Sequence, residues 1–107
     1  MPPRVFVDND ASVMHTVIEV NGRDRLGFLF DVTRAITALG LQISTAKIMT
    51  WGERVVDVFY VKDVFGHKVL SDAKLRQVRE RLLAACADPD AATEAPRQVR
   101  ASVGAGT

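Results

Sequence analysis

The chain has 107 residues, of which 48% are hydrophobic and 25% charged, and its formal net charge is +1. That length builds one small domain around a single core, and the near-neutral charge excludes the strong field of a nucleic-acid or anionic-membrane binder. One cysteine, Cys86, excludes an internal disulfide, and no apolar run approaches the roughly 20 residues that cross a bilayer.

Arg4–Asp8 reads as a short strand and Asn9–Ser12 as a turn. A second strand is predicted over Met14–Val20, with Thr16, Ile18 and Val20 on its inner face. The first helix is predicted over Arg25–Leu39, where Leu29, Val32, Ile36 and Leu39 form one apolar stripe before the terminator Gly40. A third strand, Leu41–Thr50, changes phase: Leu41 and Ile43 share one parity, Ala46 and Ile48 the other, and a bulge near Ser44-Thr45 reconciles them. After a tight turn at Trp51-Gly52-Glu53 comes a fourth strand, Arg54–Asp63, apolar at both parities. Phe65–Lys68 is a loop, and a second helix over Ser71–Ala87, with Ser71 as N-cap, turns Leu75, Val78, Leu82 and Cys86 inward. On that stripe Cys86 is a small buried hydrophobe rather than a nucleophile. From Asp88 periodicity stops and Pro, Ala, Gly, Thr and Arg dominate, so residues 1–87 are the expected domain and 88–107 a disordered tail. Met1-Pro2-Pro3 leads into no signal-peptide h-region, and a reduced, cytoplasmic setting is the default expectation.

The order β-β-α-β-β-α implies an α+β, ferredoxin-like sandwich in which the extra first strand takes the slot of a missing last one. The expected sheet is four-stranded and antiparallel, in the order first, second, fourth, third strand, with both helices on one face. Surplus apolar residues on the fourth strand suggest that the other face meets a partner, and a homodimer is the economical one.

The segment Asn21–Leu29 joins a strand to a helix through Asn21-Gly22-Arg23-Asp24-Arg25-Leu26-Gly27. Free backbone N–H groups and the positive end of a helix dipole at such a junction make a seat for a carboxylate or phosphate. Gly27 allows close approach to the backbone. The plainer alternative is a connecting loop with Asp24 as the helix N-cap. No metal-ligand cluster, P-loop, nucleophile elbow or catalytic constellation stands out: His15 and His67 are distant, and acids such as Asp24 and Asp31 near a helix start are favoured by the dipole alone.

Val17–Thr33 resembles the opening of an ACT domain, and together with Gly52–Asp63 it resembles the C-terminal ACT domain of bacterial PII uridylyltransferase/uridylyl-removing enzymes, an arrangement that the extra strand at Arg4–Asn9 also fits. The resemblance covers about residues 3–87. It implies a glutamine-sensing regulatory domain that pairs side by side and controls catalytic domains absent from this chain. Magnesium would belong to those domains, and no cofactor is expected here. The matching loop positions are Asn21, Asp24, Arg25, Gly27, Phe28 and Leu29, with a partner strand contributing around Gln42, Ile43 and Ser44. On this resemblance an amino acid's carboxylate is expected at N–H groups near Gly27, Phe28 and Leu29, its amino group at side-chain or backbone oxygens of Asn21 and Asp24, and its side-chain amide, as a secondary expectation, at Arg25 and Gln42. One departure is Leu26, where the family loop usually carries Pro before the Gly. A free-standing amino-acid-sensing dimerisation module is an alternative. An RNA-binding module is another, since the RNA recognition motif shares this sandwich. Its stacking aromatics would be drawn from Trp51, Phe59 and Tyr60, but adjacent Phe59 and Tyr60 cannot both face outward. A small acylphosphatase-like enzyme, with Arg23 or Arg25 in its loop, fits the surrounding pattern poorly.

Overall fold

The computed structural model describes residues 2–87. The tail expected at 88–107 lies outside the described residues. The elements are β1 (Arg4–Asp8), β2 (Thr16–Arg23), α1 (Phe28–Ala38), β3 (Gln42–Trp51), β4 (Arg54–Lys62) and α2 (Asp72–Ala85). They form the expected ferredoxin-like α+β sandwich: an antiparallel sheet of four strands ordered β1-β2-β4-β3, with the helices together on one face.

The core lies between that face and the helices. Ile18 and Val20 from β2 and Phe59 and Val61 from β4 meet Val32 and Ile36 of α1 and Val78 and Leu82 of α2, all essentially inaccessible. The stripe expected on α2 is present, with Cys86 buried and Leu75 partly buried. On α1 the expectation needs one correction. The helix starts at Phe28, not Arg25, so Phe28 rather than Leu29 heads the buried row Phe28, Val32, Ile36. Leu29 is one residue, or about 100°, off that row and is 41% exposed.

The anticipated bulge occurs where the β3–β4 register slips between Ile43 and Thr45. Its effect reaches the site. Beyond the slip, Ala46, Ile48 and Thr50 pair with Phe59, Asp57 and Val55, so they share the helix side of the sheet. β3 is the edge strand, and nine of its ten residues are exposed.

Candidate functional site

The junction between β2 and α1 is tighter than the sequence suggests. β2 continues to Arg23, pairing Asn21 with Val56 and Gly22 with Val55. Strand alternation then sends the Asn21 side chain to the open face of the sheet, where Nδ2 donates to Glu19 Oε2 at 2.9 Å. Asn21 is therefore turned away from the helix side, contrary to the role expected of it.

Asp24 does not cap α1. Its N–H donates to Glu53 O at 2.6 Å, which extends the β2–β4 ladder. The chain then reverses at Arg25–Phe28: the Phe28 N–H donates to Arg25 O at 3.1 Å, and Gly27 adopts φ 81°, ψ 0°. These are the marks of a type II turn, whose third residue requires positive φ. Gly27 is thus the N-cap residue, and no side chain caps the helix. The Asp31 N–H donates to Gly27 O at 2.9 Å, and ahead of it Leu29 and Phe30 carry first-turn N–H groups that a helix leaves without intrahelical partners. A Cβ on Gly27 would meet nothing nearer than Arg25 Nη1 at 3.9 Å, so the space in front of this backbone is open.

Two side chains hold the turn in place. Phe28 is buried, and its ring lies against the Gly22 backbone so closely that a Cβ on Gly22 would collide with it. Arg25 stacks over the Phe28 ring, 5.7 Å from its centroid, and pairs with Asp31 at 3.0 Å. Its Nη2 also donates to Ala85 O at 3.1 Å and Ala87 O at 3.4 Å. The guanidinium thus lies at the negative end of the α2 dipole. Arg25 was expected to read a ligand amide, but its terminal nitrogens are engaged by the protein. Only buried Nε lacks a partner.

The turn, the start of α1 and the strands β3 and β4 border an open cleft of about 670 Å³, within the range of small-molecule sites. It brings together Asp24, Arg25, Gly27, Phe28 and Leu29 from the sequence-based set. It does not reach Gln42 and Ile43. They lie at the other end of β3, six strand positions or roughly 20 Å from Ile48 and Met49, and Gln42 Nε2 donates to Asp63 O at 2.9 Å.

Sequence reasoning missed Asp57 on β4. It lines the cleft beside Ile48, Thr50 and Val55, is 0% exposed, and neither carboxylate oxygen has a hydrogen-bond partner. Burial, with a smaller contribution from the Asp24 charge, pushes its pKa up to about 6. A signal was present: Asp57 has the parity of Val55, Phe59 and Val61, so an acid occupies an inward position of an otherwise apolar row. Burial likewise pushes the Cys86 thiol up to about 11, which suits a core residue rather than a nucleophile. Among the described residues no group of His, Cys, Asp and Glu is placed to hold a metal ion, and no helix is long and apolar enough to cross a membrane.

With this geometry in place, similarity to known proteins is informative. The family model described as an ACR9-like, ACT-like domain matches residues 4–91. The chain is 68% identical over 91 residues to the bifunctional uridylyltransferase/uridylyl-removing enzyme of Azospirillum brasilense, covering 85% of this chain and 10% of that protein. The enzyme of the same description from Rhodospirillum rubrum is 66% identical over 85 residues, 79% of this chain and 9% of that protein. Its counterpart from Gluconobacter oxydans is 54% identical over 95 residues, 89% of this chain and 10% of that protein. The chain therefore spans about a tenth of the length of these relatives. No solved structure matches it.

Proposed function

The chain belongs to the ACT-like domain family, and on that premise we propose that it is a regulatory domain that binds a free amino acid, glutamine in the first place. The observation that carries this reading is the start of α1: a positive-φ Gly27 and an uncapped first turn open onto a cleft roomy enough for an amino acid. A ligand carboxylate accepts from the free first-turn N–H groups of Leu29 and Phe30 beside Gly27, aided by the helix dipole. The ligand ammonium meets Asp24 at the rim. With relatives that join uridylyl transfer and uridylyl removal in one protein, the domain reports nitrogen status to those activities on PII protein in the cytoplasm. Catalysis and its magnesium reside elsewhere in such an enzyme, and this chain alone is not the catalyst.

The same reading includes pairing of two domains. β3 is a bare edge, with Ile48, Met49 and Trp51 each about half exposed or more, and long apolar edges are liabilities unless covered. Two copies of β3 paired antiparallel about Thr45 and Ala46 would set Gln42 and Ile43 of one copy opposite Met49 and Ile48 of the other. That returns Gln42 and Ile43 to the cleft in trans.

Calorimetry with a panel of amino acids, with sedimentation run alongside, tests the reading. Glutamine is expected to bind with a Kd at or below about 1 mM and to favour the dimer. Absence of heat with every amino acid in the panel overturns it.

A further inference from the structure

We propose that Asp57, together with Arg25 Nε, is the specificity-determining pair of the cleft, and that it selects a ligand bearing a side-chain carboxamide over one bearing a carboxylate. The proposal rests on the amino-acid-binding reading and adds what that reading leaves open, namely how glutamine is told from glutamate.

Three observations carry it. First, Asp57 is 0% exposed and both of its oxygens lack partners, although it borders the cleft. An orphaned buried acceptor costs free energy, and folded proteins retain such groups where something else supplies the donor. Second, Arg25 Nε is also buried and without a partner, while the rest of that guanidinium is held by Asp31 and the end of α2. Arg25 therefore cannot swing to neutralise Asp57 without giving up those contacts. Third, both groups border one cleft, and both act electrostatically on the Cys86 thiol beneath it.

An unfilled acceptor and an unfilled donor on residues bordering one cleft match the complement of a primary carboxamide. Its NH2 donates to Asp57 and its C=O accepts from Arg25 Nε–H. A glutamate carboxylate in the same place would offer Asp57 no donor and would bring two negative charges together. Rejection by an unpaired or repelling polar group is the strong form of specificity. The backbone N–H groups of α1 bind the carboxylate common to all amino acids, so the two ends of the cleft have separate tasks.

The test is calorimetry on the full chain with glutamine and glutamate, for the wild type and Asp57→Asn. The wild type should prefer glutamine by at least about tenfold. In Asp57→Asn the side-chain amide can donate to a carboxylate, so the preference should collapse to near unity while circular dichroism stays unchanged. A measurement on the wild type alone covers failure of the variant to fold. Lowering the pH from 8 to 5 protonates Asp57 before free glutamate, and the glutamine preference should narrow. The charged or titratable groups facing Asp57 are Asp24 and Arg25 from the turn, which line the same cleft, and Cys86 at the end of α2. Burial raises the Asp57 carboxyl to about 6, inside that pH window. A glutamine preference that is unchanged in Asp57→Asn and flat with pH overturns the specificity pair and leaves the amino-acid sensor standing. Equal wild-type affinities for the two ligands do the same. Binding of neither amino acid overturns both.

Discussion

The two helices of this domain begin in opposite ways. α2 is closed by Ser71, whose Oγ accepts from the Lys74 N–H at 3.3 Å. α1 is led in by a type II turn with Gly27 at its N-cap and no side chain across its first turn. A capped start has one of its orphan donors satisfied by a side chain that stands across the first turn, and it presents less to a ligand. An uncapped start keeps them available, and here it faces the cleft containing Asp57. The difference teaches that a helix N-terminus becomes a site through what the sequence withholds. Local order at α1 comes instead from Phe28 on Gly22 and from Arg25, which ties the turn to the far end of α2.

The largest effect is expected where α1 is anchored without a cap. Gly22→Val places side-chain atoms where the Phe28 ring lies, and neither a β strand nor a buried ring can move freely to admit them. Overpacking of this kind costs about 3 kcal/mol, read as a lower urea midpoint, and amino-acid binding should be lost because the turn moves with Phe28. A variant as stable as wild type would show that the Phe28–Gly22 contact does not hold the turn.

Next comes the pH dependence of stability. In the folded chain Asp57 has a pKa raised from 3.8 to about 6. The folded state therefore holds a proton that the unfolded state releases, and stability falls as pH rises through that window. The contribution is fully present below about pH 4 and gone above about pH 6, and is on the order of 2 kcal/mol. Asp63 works in the opposite direction: the His67 and Phe65 N–H groups hold its carboxyl below the usual range, so its contribution fades on acidification. Subtracting the profile of Asp57→Asn from that of the wild type isolates the first effect. A flat difference between pH 4 and 7 would mean that Asp57 is solvated or paired in solution.

The direct comparison of the two helix starts is Ser71→Ala against Gly27→Ala. Loss of the Ser71 cap should cost about 1 kcal/mol and leave ligand affinity unchanged. Gly27→Ala should cost a similar amount, about 1–2 kcal/mol, because an L-residue is strained at φ 81°. It should also weaken binding, since the methyl group stands in front of the donors. Equal binding in both variants would remove the functional distinction between the two starts.

Much of this was legible beforehand, and the exceptions have physical causes. Periodicity located all six elements, the strand order and even the bulge near Ser44-Thr45, because those features are written in which residues repeat on a face. Ser71 was readable as a cap because α2 starts where its polar pattern starts. Asp24 was misread because β2 pairing with β4 extends through Arg23, a tertiary effect that no local signal announces. The same extension turned Asn21 to the wrong face. Asp57 was passed over because its strand was read for apolar content, whereas its parity alone marked it as an inward acid. Where Arg25 points depends on the end of α2, 60 residues away in sequence.

The smallest effect, and the finest probe of the α1 start, is Leu26→Pro. Leu26 is the second residue of the type II turn, and its side chain is fully exposed. That turn position has φ near −60°, the value proline imposes, and proline is common there. The Leu26 N–H takes no part in the turn's hydrogen bonds, so losing it removes no contact. Proline also favours an extended residue before it, which suits Arg25 leaving the β2 edge. The substitution should stabilise the chain by about 0.4–1 kcal/mol, chiefly by restricting the unfolded state. A stiffer turn should also lower the ordering cost of binding, so glutamine affinity should rise modestly. Urea denaturation and calorimetry on the same samples separate the two gains. Destabilisation by Leu26→Pro would show that the turn departs from type II in solution, and with it the uncapped geometry that sets α1 apart from α2.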